Sequence, residues 1–481
     1  MSVTLTDQDK LTLRTAAYGA VSLMAAAGAA PVSLSPAAGL VADVLAEQPR
    51  DARPDGASLA GTADHVLPAL TAAMSLLRKA APAEADTFRS AVVAAVEAAA
   101  RTRPDEPGPA VDETVRKIVA ALDAAGQDRP DLQQAIQDMV DAGFVGVQLR
   151  VHDRGEEWVG SAGVRKLGDL GKPPTNGQFR IGSNTKTFTA ALVLRLVVEG
   201  TLALDAPVAD HLTEFGLDRQ ITVRMLLQHT SGVFNFTGEY YEDGTVVPGI
   251  PWQGREWVDN RFKDYRPQEL VKLALSKPAR FAPGTDWGYS NTNYVLARLL
   301  VEKATGRSVA EEMQRLILRP LGLADTVVPT TEPDIAEPYA HAYYRYEEDG
   351  RQKTVDVTRQ NPSWISSGGD MISTTRDLHT FISSLLGGRL LPAPLLAEMC
   401  TPHPKAGYGL GVFVQDIGSD GVTVITHNGS LSGNAALMYS TPDGTKTLTA
   451  SLTYVDDAAR SMAAAFQTTT QKLLEEVFDG A

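Results

Sequence analysis

The sequence predicts an α/β protein. One mostly antiparallel sheet is flanked by helices, an all-α region is inserted between its strands, and a separate all-helical block precedes it. Three observations carry this expectation. Residues 1–125 are alanine-rich runs with Leu, Val and Met at helical spacing. Strand-like alternation occurs at both ends of the remaining chain, in VGVQLRV from Val145 to Val151 and again after Gly409. The stretch between is helical and loop-rich. Two chain ends that both supply strands imply one sheet with an insert.

In chain order, helices are expected at Leu11–Ala27, Ala38–Glu47, Val66–Lys79, Asp86–Ala100 and Asp112–Ala124. The breakers PRDARPDG from Pro49 and RTRPDEPGP from Arg101 separate them. A small helical bundle follows, residues 1–125, without a catalytic motif. Its expected role is packing or the binding of a protein partner. GQDRP, Gly126 to Pro130, reads as a linker, residues 126–130. A catalytic domain then spans residues 131–478. It opens with a helix, Asp131 to Ala142, a strand at Val145–Val151 and a second strand around Trp158. The middle runs from Phe188 to about Leu386. A meander follows at Gly409–Val414, Val422–Thr426, Ala435–Ser440 and Leu448–Tyr454, with GSDG and TPDG as turns. A helix from Asp456 to Val477 closes the domain.

Composition excludes whole classes of function. The net charge of −14 is spread without acidic or basic runs, which argues against nucleic acid or an anionic membrane surface as partner. The single cysteine, Cys400, excludes an intrachain disulfide and a cysteine-rich metal site. The eight histidines lie scattered, with no HxH or HExxH spacing. No phosphate- or dinucleotide-binding loop occurs, so neither metal nor cofactor is expected. No stretch is apolar enough for a membrane span. TAAYGAVSLMAAAGAA has the length of a signal core, but Asp7 and Asp9 offset Lys10 and Arg14 ahead of it. The expectation is therefore a cytoplasmic protein, with export as the alternative.

The chemistry starts at Ser183-Asn184-Thr185-Lys186, at the front of an apolar helix. A serine one turn before a lysine puts both side chains on one face. A desolvated lysine amine is neutral near pH 7 and takes the serine's proton. One such spacing is expected by chance in about this length of chain, so the companions matter. Tyr289-Ser290-Asn291 and His427-Asn428-Gly429 follow in order, and each of the three patterns occurs once.

With these motifs the sequence resembles the serine DD-carboxypeptidase and class C β-lactamase family of penicillin-binding serine hydrolases. The resemblance is nearest to its actinobacterial D-alanyl-D-alanine carboxypeptidases and covers roughly Asp131 to Phe478. LLQHTSG from Leu226, YSNTNY ending at Tyr294 and GYGLGV from Gly407 support it. It implies the β-lactamase/DD-peptidase-like fold and an acyl-enzyme on Ser183, with Lys186 as base and Tyr289 as proton shuttle. Tyr289 would act as a phenolate stabilised by Lys186 and His427, or as a neutral relay. His427 would act electrostatically. Asn291 would offer its amide to the substrate carbonyl, Gly429 would allow close backbone approach, and the Ser430 N–H would join that of Ser183 as oxyanion hole. Asn428, Phe413 and Trp364 complete the expected substrate-binding set.

The pattern departs from that branch in two places. Aligning GYGLGV puts Phe413 where those carboxypeptidases carry an arginine for the terminal carboxylate. Asn428 and Ser430 replace threonines around Gly429. A missing guanidinium removes a bond worth ~1.5–3 kcal/mol. The expected activity is cleavage of an amide or ester of a small molecule or peptide. DD-carboxypeptidase comes first, then esterase, D-aminopeptidase or peptide acyltransferase, or a slowly deacylating penicillin sensor. The aromatic-rich segment from Glu239 to Arg266 reads as a pocket wall or as a loop pinned by its own side chains.

Overall fold

A computed structural model describes residues 5–29, 34, 40–46, 59–101, 109–124, 129–241, 243–418 and 421–478. Two compact units divide the chain between Pro130 and Asp131. Most of the proposed linker, residues 126–128, lies outside the described residues, as do the first Pro-rich breaker, residues 102–108 of the second and the centre of the GSDG turn.

The first unit holds α1 (Asp7–Ala26), α2 (Leu40–Ala46), α3 (Leu59–Ala80), α4 (Pro82–Arg101) and α5 (Pro109–Ala124). Thr6 caps α1, its Oγ1 accepting the Asp9 N–H while Asp9 accepts the Thr6 N–H. Leu13, Leu70, Phe88, Val92, Ile118 and Leu122 are fully enclosed at its centre. The segment that resembled a signal core is thus part of a packed helix.

The second unit begins with α6 (Pro130–Asp141), β1 (Gly146–Asp153), β2 (Glu156–Gly163), β3 (Phe179–Arg180) and α7 (Asn184–Val198). Its middle contains α8 (Val223–Gln228), β4 (Gly238–Tyr240), β5 (Val246–Pro248), α9 (Gly254–Asn260), α10 (Pro267–Leu275), α11 (Asn291–Thr305), α12 (Val309–Met313) and α13 (Arg319–Leu321). Next come β6 (Tyr343–Glu348), β7 (Arg351–Asp356), β8 (Ile372–Ser373), α14 (Thr375–Leu386) and α15 (Ala393–Met399). The chain returns to the sheet with β9 (Phe413–Ile417), β10 (Val422–Thr426), β11 (Gly429–Leu431), β12 (Asn434–Ser440) and β13 (Lys446–Thr453), then β14 (Val455–Asp457) and α16 (Ala463–Phe478).

The main sheet runs β2-β1-β13-β12-β10-β9, with β11 also on β12, and every pairing in it is antiparallel. Alternation along β12 explains its two-sided burial. Ala435, Leu437 and Tyr439 face α6 and α16, while Ala436 and Met438 face the core that holds α7 and α14. On β1, Val147, Leu149 and Val151 face α6 and α16. The intervening Arg150 and His152 meet Thr375 and His379 of α14. This is the α/β fold with an all-α region that the motifs imply.

Two elements differ from the sequence expectation. The strand expected at Gly409–Val414 starts only at Phe413. The Gly411 carbonyl accepts from Thr187 Oγ1 at 2.8 Å, and its N–H bonds the Leu227 carbonyl, so residues 409–412 bend against α7 and α8. The closing helix starts at Ala463 rather than Asp456. Residues 455–457 instead pair in parallel with Tyr343–Arg345 of β6, and that pairing holds them extended.

Candidate active site

Ser183 sits between β3 and α7, at the helix N-terminus, where N–H groups point outward. Its side chain makes no capping bond. The hydroxyl is instead held from two sides. Lys186 Nζ lies 3.1 Å from Ser183 Oγ, and the Tyr289 hydroxyl donates to the same oxygen at 2.9 Å. Lys186 is completely enclosed. A surface lysine beside an N-cap serine would leave neither feature.

The partners of Lys186 are compatible with an uncharged amine. Nζ donates to Asn291 Oδ1 at 2.8 Å and to the Gly368 carbonyl at 2.7 Å. Both are acceptors only. A neutral amine has two hydrogens for these and one lone pair left, directed at the Ser183 hydroxyl. Burial is the main cause that holds its pKa well below the ordinary lysine value, and the Asp370 carboxylate pulls weakly the other way. Asp370 is itself enclosed. It accepts the Ser367 N–H at 2.8 Å and faces Arg298 at 3.8 Å, which fixes the loop that presents Gly368.

Tyr289 precedes α11 and stacks at a tilt on His229, with ring centres 4.4 Å apart. Burial raises its pKa above that of a free phenol, so it stands as a neutral hydroxyl. A neutral hydroxyl is the state that the relay reading calls for. Lys186 Nζ lies 4.7 Å from the ring centre.

His427, at the end of β10, is enclosed and turned elsewhere than expected. Nε2 meets the Tyr408 hydroxyl at 3.2 Å and Nδ1 meets the Asn428 carbonyl at 2.9 Å. A carbonyl only accepts, so Nδ1 carries the hydrogen and Tyr408 donates to Nε2. Burial, followed by the Lys186 charge, lowers its pKa to about 3. Burial keeps the ring neutral, so any electrostatic effect of His427 comes from the imidazole dipole and its hydrogen bonds rather than from a full charge.

Asn291 also departs from expectation. Its Oδ1 takes Lys186, and its Nδ2 donates to Thr237 Oγ1 at 3.2 Å. The amide orders the base instead of facing the cavity.

Two glycines let the backbones of α7 and β11 touch. Gly182 has φ +50°, and a Cβ there would lie 2.7 Å from the Ser430 nitrogen. A Cβ on Gly429 would meet the Ile181 carbonyl at 1.9 Å and the Ser183 nitrogen at 2.7 Å. Only glycine fits either place. The glycines thereby let the main chain at Ser183 and at Ser430 approach closely.

In front of them opens a cavity of about 460 Å³. Ser183, Tyr289, His427, Asn428, Gly429 and Ser430 form its reactive end. Trp252, Trp364, Phe413, Tyr454 and Phe466 supply aromatic wall. Phe413 packs edge-on against Tyr408, with ring centres 4.5 Å apart. Asn428 Nδ2 donates to the Tyr439 hydroxyl at 2.5 Å. Of the Glu239–Arg266 aromatics, Trp252 reaches the cavity, Trp257 is buried on Tyr344, and Tyr240 and Phe262 are exposed. Among the described residues the segment holds the paired strands β4 and β5 and the helix α9, and it gives the cavity one wall residue, Trp252.

This constellation can be compared with known proteins. Residues 132–474 match the family described as beta-lactamase. The chain belongs to the beta-lactamase family. Esterase EstB of Burkholderia gladioli is 37% identical over 172 residues, 34% of this chain and 41% of that protein. Penicillin-binding protein 4* of Bacillus subtilis (strain 168) is 26% identical over 289 residues, 57% of this chain and 60% of that protein. The chain thus spans about half the length of the curated relatives it matches. A D-stereospecific amidohydrolase from Streptomyces sp. superposes with TM-score 0.63 at 35% identity, covering 74% of this chain and 99% of that one. D-amino acid amidase from Ochrobactrum anthropi SV3, complexed with D-phenylalanine, gives 0.62 at 26% identity, covering 72% and 99%.

This beta-lactamase family member also carries site residues that sequence reasoning missed. His229, within the quoted LLQHTSG, is enclosed with φ +63°, and its Nδ1 accepts the Ser290 N–H at 3.2 Å. Burial pulls its pKa well down, so a neutral ring supports Tyr289. Tyr408, within the quoted GYGLGV, could have been found from that run. Gly368 acts through its backbone alone, and no side-chain motif signals it.

Proposed function

We propose that the chain is a serine acyl-hydrolase that forms an acyl-enzyme on Ser183. The observation that carries this reading is the joint approach of Lys186 Nζ and the Tyr289 hydroxyl to Ser183 Oγ. In the acylation step Ser183 Oγ attacks a carbonyl carbon and its proton passes to the Lys186 amine. The oxyanion forms beside the Ser183 and Ser430 N–H groups, each worth about 10²–10³ in rate. The proton held on Lys186 returns to the leaving nitrogen or oxygen through Tyr289. Water, or an amine, then releases the acyl group.

The substrate class favoured is a D-aminoacyl or short peptidyl amide or ester. The aromatic wall fits an apolar acyl part. The two amidase-type structures cover nearly their whole length with this chain at 35% and 26% identity, which supports an amide. Phe413 in place of an arginine weakens the carboxypeptidase reading. Esterase activity is the second reading, supported by the likeness to EstB. Ser183, Lys186 and Tyr289 are the proposed catalytic residues, with His427 as a positioning residue for the Tyr408 wall.

Among the described residues no helix is long and apolar enough to cross a membrane. The packing of α1 in the first unit favours a cytoplasmic protein. Detection of cleavage near Ala30 in secreted material would overturn that location. The helical unit is proposed as a separate domain that binds a protein partner.

The test compares the wild-type protein with Ser183→Ala on D-phenylalanine amide, a p-nitrophenyl ester and a fluorescent penicillin. Turnover of amide or ester that vanishes in the variant is expected. Stable penicillin label without turnover of either substrate would replace the hydrolase reading with a sensor.

A further inference from the structure

The cavity in front of Ser183 continues past β11 to a wall formed by the segment after β13. Two of its lining residues carry charge, Asp456 of β14 and Arg460. Their surroundings differ. Arg460 is exposed and lies over the face of Trp252, 5.3 Å from the ring centre. Asp456 is half-buried, with Phe144, Trp252, Tyr454 and Phe466 among the residues that share its cavity. The adjacent Asp457 is engaged by Arg345 at 2.5 Å and by Ser461. Asp456 makes no ion pair among the described residues, and the Arg460 charge on the same cavity acts on it only from beyond ion-pair distance. Asp456 accepts only two backbone N–H groups, from Asp457 at 2.9 Å on Oδ1 and from Gly433 at 3.4 Å on Oδ2. An ionised carboxylate has about four acceptor positions, so two remain for a ligand. In an apolar cavity such an anion is costly until a cation joins it.

The position of Asp456 sets the length of that ligand. Its Oδ2 is tied to Gly433, three residues beyond Ser430 on the β11–β12 hairpin. At strand rise the Gly433 nitrogen is at most about 10 Å from the Ser430 N–H, and Asp456 Oδ2 lies 3.4 Å from that nitrogen. An α-ammonium, two bonds from the scissile carbonyl carbon, spans only about 2.5 Å of this reach. An ammonium about 7 Å away, with about 3 Å for the contact itself, spans about 10 Å of it.

We infer that Asp456 forms a subsite for a substrate ammonium carried about one residue beyond the scissile acyl unit, such as the free amino terminus of a short peptidyl donor or a basic side chain. This deepens the acyl-hydrolase reading above and rests on it. The aromatic wall holds the connecting chain, and Asp456 measures its length.

The experiment uses p-nitrophenyl esters of 6-aminohexanoic, heptanoic and adipic acids, which end in an ammonium, a methyl and a carboxylate at matched length. Wild-type kcat/KM is expected to favour the amino ester over the heptanoyl ester by about ten- to a hundredfold. That preference should fall to near parity in Asp456→Asn and persist in Arg460→Gln. Equal wild-type rates for the amino and heptanoyl esters overturn the inference. So does a preference for the adipoyl ester that depends on Arg460. A second measurement leaves Asp456 native: calorimetric titration of Ser183→Ala with 6-aminohexanamide and heptanamide. Tighter binding of the amine supports the subsite and equal binding removes it. If the wild-type protein turns over none of the esters, the acyl-hydrolase reading falls, and the titration still decides the subsite.

Discussion

Tyr289 donates its phenolic hydrogen to Ser183 Oγ across 2.9 Å, while its own ring rests on His229. The serine oxygen therefore accepts from the phenol and keeps its hydrogen for Lys186. The direction of proton flow is set before substrate arrives.

Replacing the tyrosine should test this. Tyr289→Phe keeps the ring on His229 and removes only the hydroxyl. Turnover of an amide is expected to fall by about 10²–10⁴. An ester with a good leaving group, which needs no proton, should lose far less. Equal losses on both would show that the hydroxyl does not serve the leaving group.

Lys186→Arg probes the neutral amine. A guanidinium stays charged and cannot accept the serine's proton. Acylation by a fluorescent penicillin should drop by at least about 10². The melting temperature should fall too, because an enclosed unpaired charge costs several kcal/mol. Labelling at the wild-type rate would remove Lys186 as base.

The pH dependence follows from the same two groups. Activity needs Lys186 neutral, and its lowered pKa moves the acid limb well below the ordinary lysine value of 10.5. The raised pKa of Tyr289 keeps it protonated through pH 10. kcat/KM should rise with pH to a plateau and stay flat to about pH 10. A rate still climbing across pH 9–10 would point to a phenolate. His427, lowered to about 3, should add no limb between pH 5 and 9.

Gly429→Ala should damage fold and chemistry together. The added methyl lands 1.9 Å from the Ile181 carbonyl and 2.7 Å from the Ser183 nitrogen. Relief of that overlap is expected to cost about 1–3 kcal/mol in stability. It also displaces an oxyanion donor, with about 10²–10³ lost in kcat. Chemical denaturation and ester kinetics check the two effects, and wild-type kinetics would refute the close approach.

Phe413→Arg asks whether the missing cation accounts for the departure from carboxypeptidases. The side chain starts β9 at the cavity edge, packed on Tyr408 and His427. The variant is expected to gain about tenfold or more for a D-Ala-D-Ala peptide over its C-terminal amide. An unchanged ratio would show that position 413 does not meet the leaving group's end.

The parts of the site that were legible in the sequence are those set by short spacing. Ser183 and Lys186 share a helix face because they are three residues apart, and the apolar run behind them announces the lysine's burial. The β12 and β13 segments were readable from alternation and turn residues. The missed features depend on distant partners. Whether Asn291 turns to substrate or to Lys186 is decided by where Gly368 and Thr237 fall. His427 is neutral because burial lowers its pKa, and Tyr408, nineteen residues earlier, donates to its second nitrogen. GYGLGV looked extended by composition, but contact with α7 and α8 bends it. Residues 455–457 sit at the head of a helical pattern and become a strand because β6 offers an open edge.

The contact between Gly182 and Gly429 has an evolutionary corollary. The cradle proposed for the developing negative charge is made of main chain alone, so no single side-chain exchange would adjust its polarity. Diversification within such a scaffold is channelled outward, to Trp252, Phe413, Asp456 and Arg460. New selectivities can arise there while the reactive centre stays as it is.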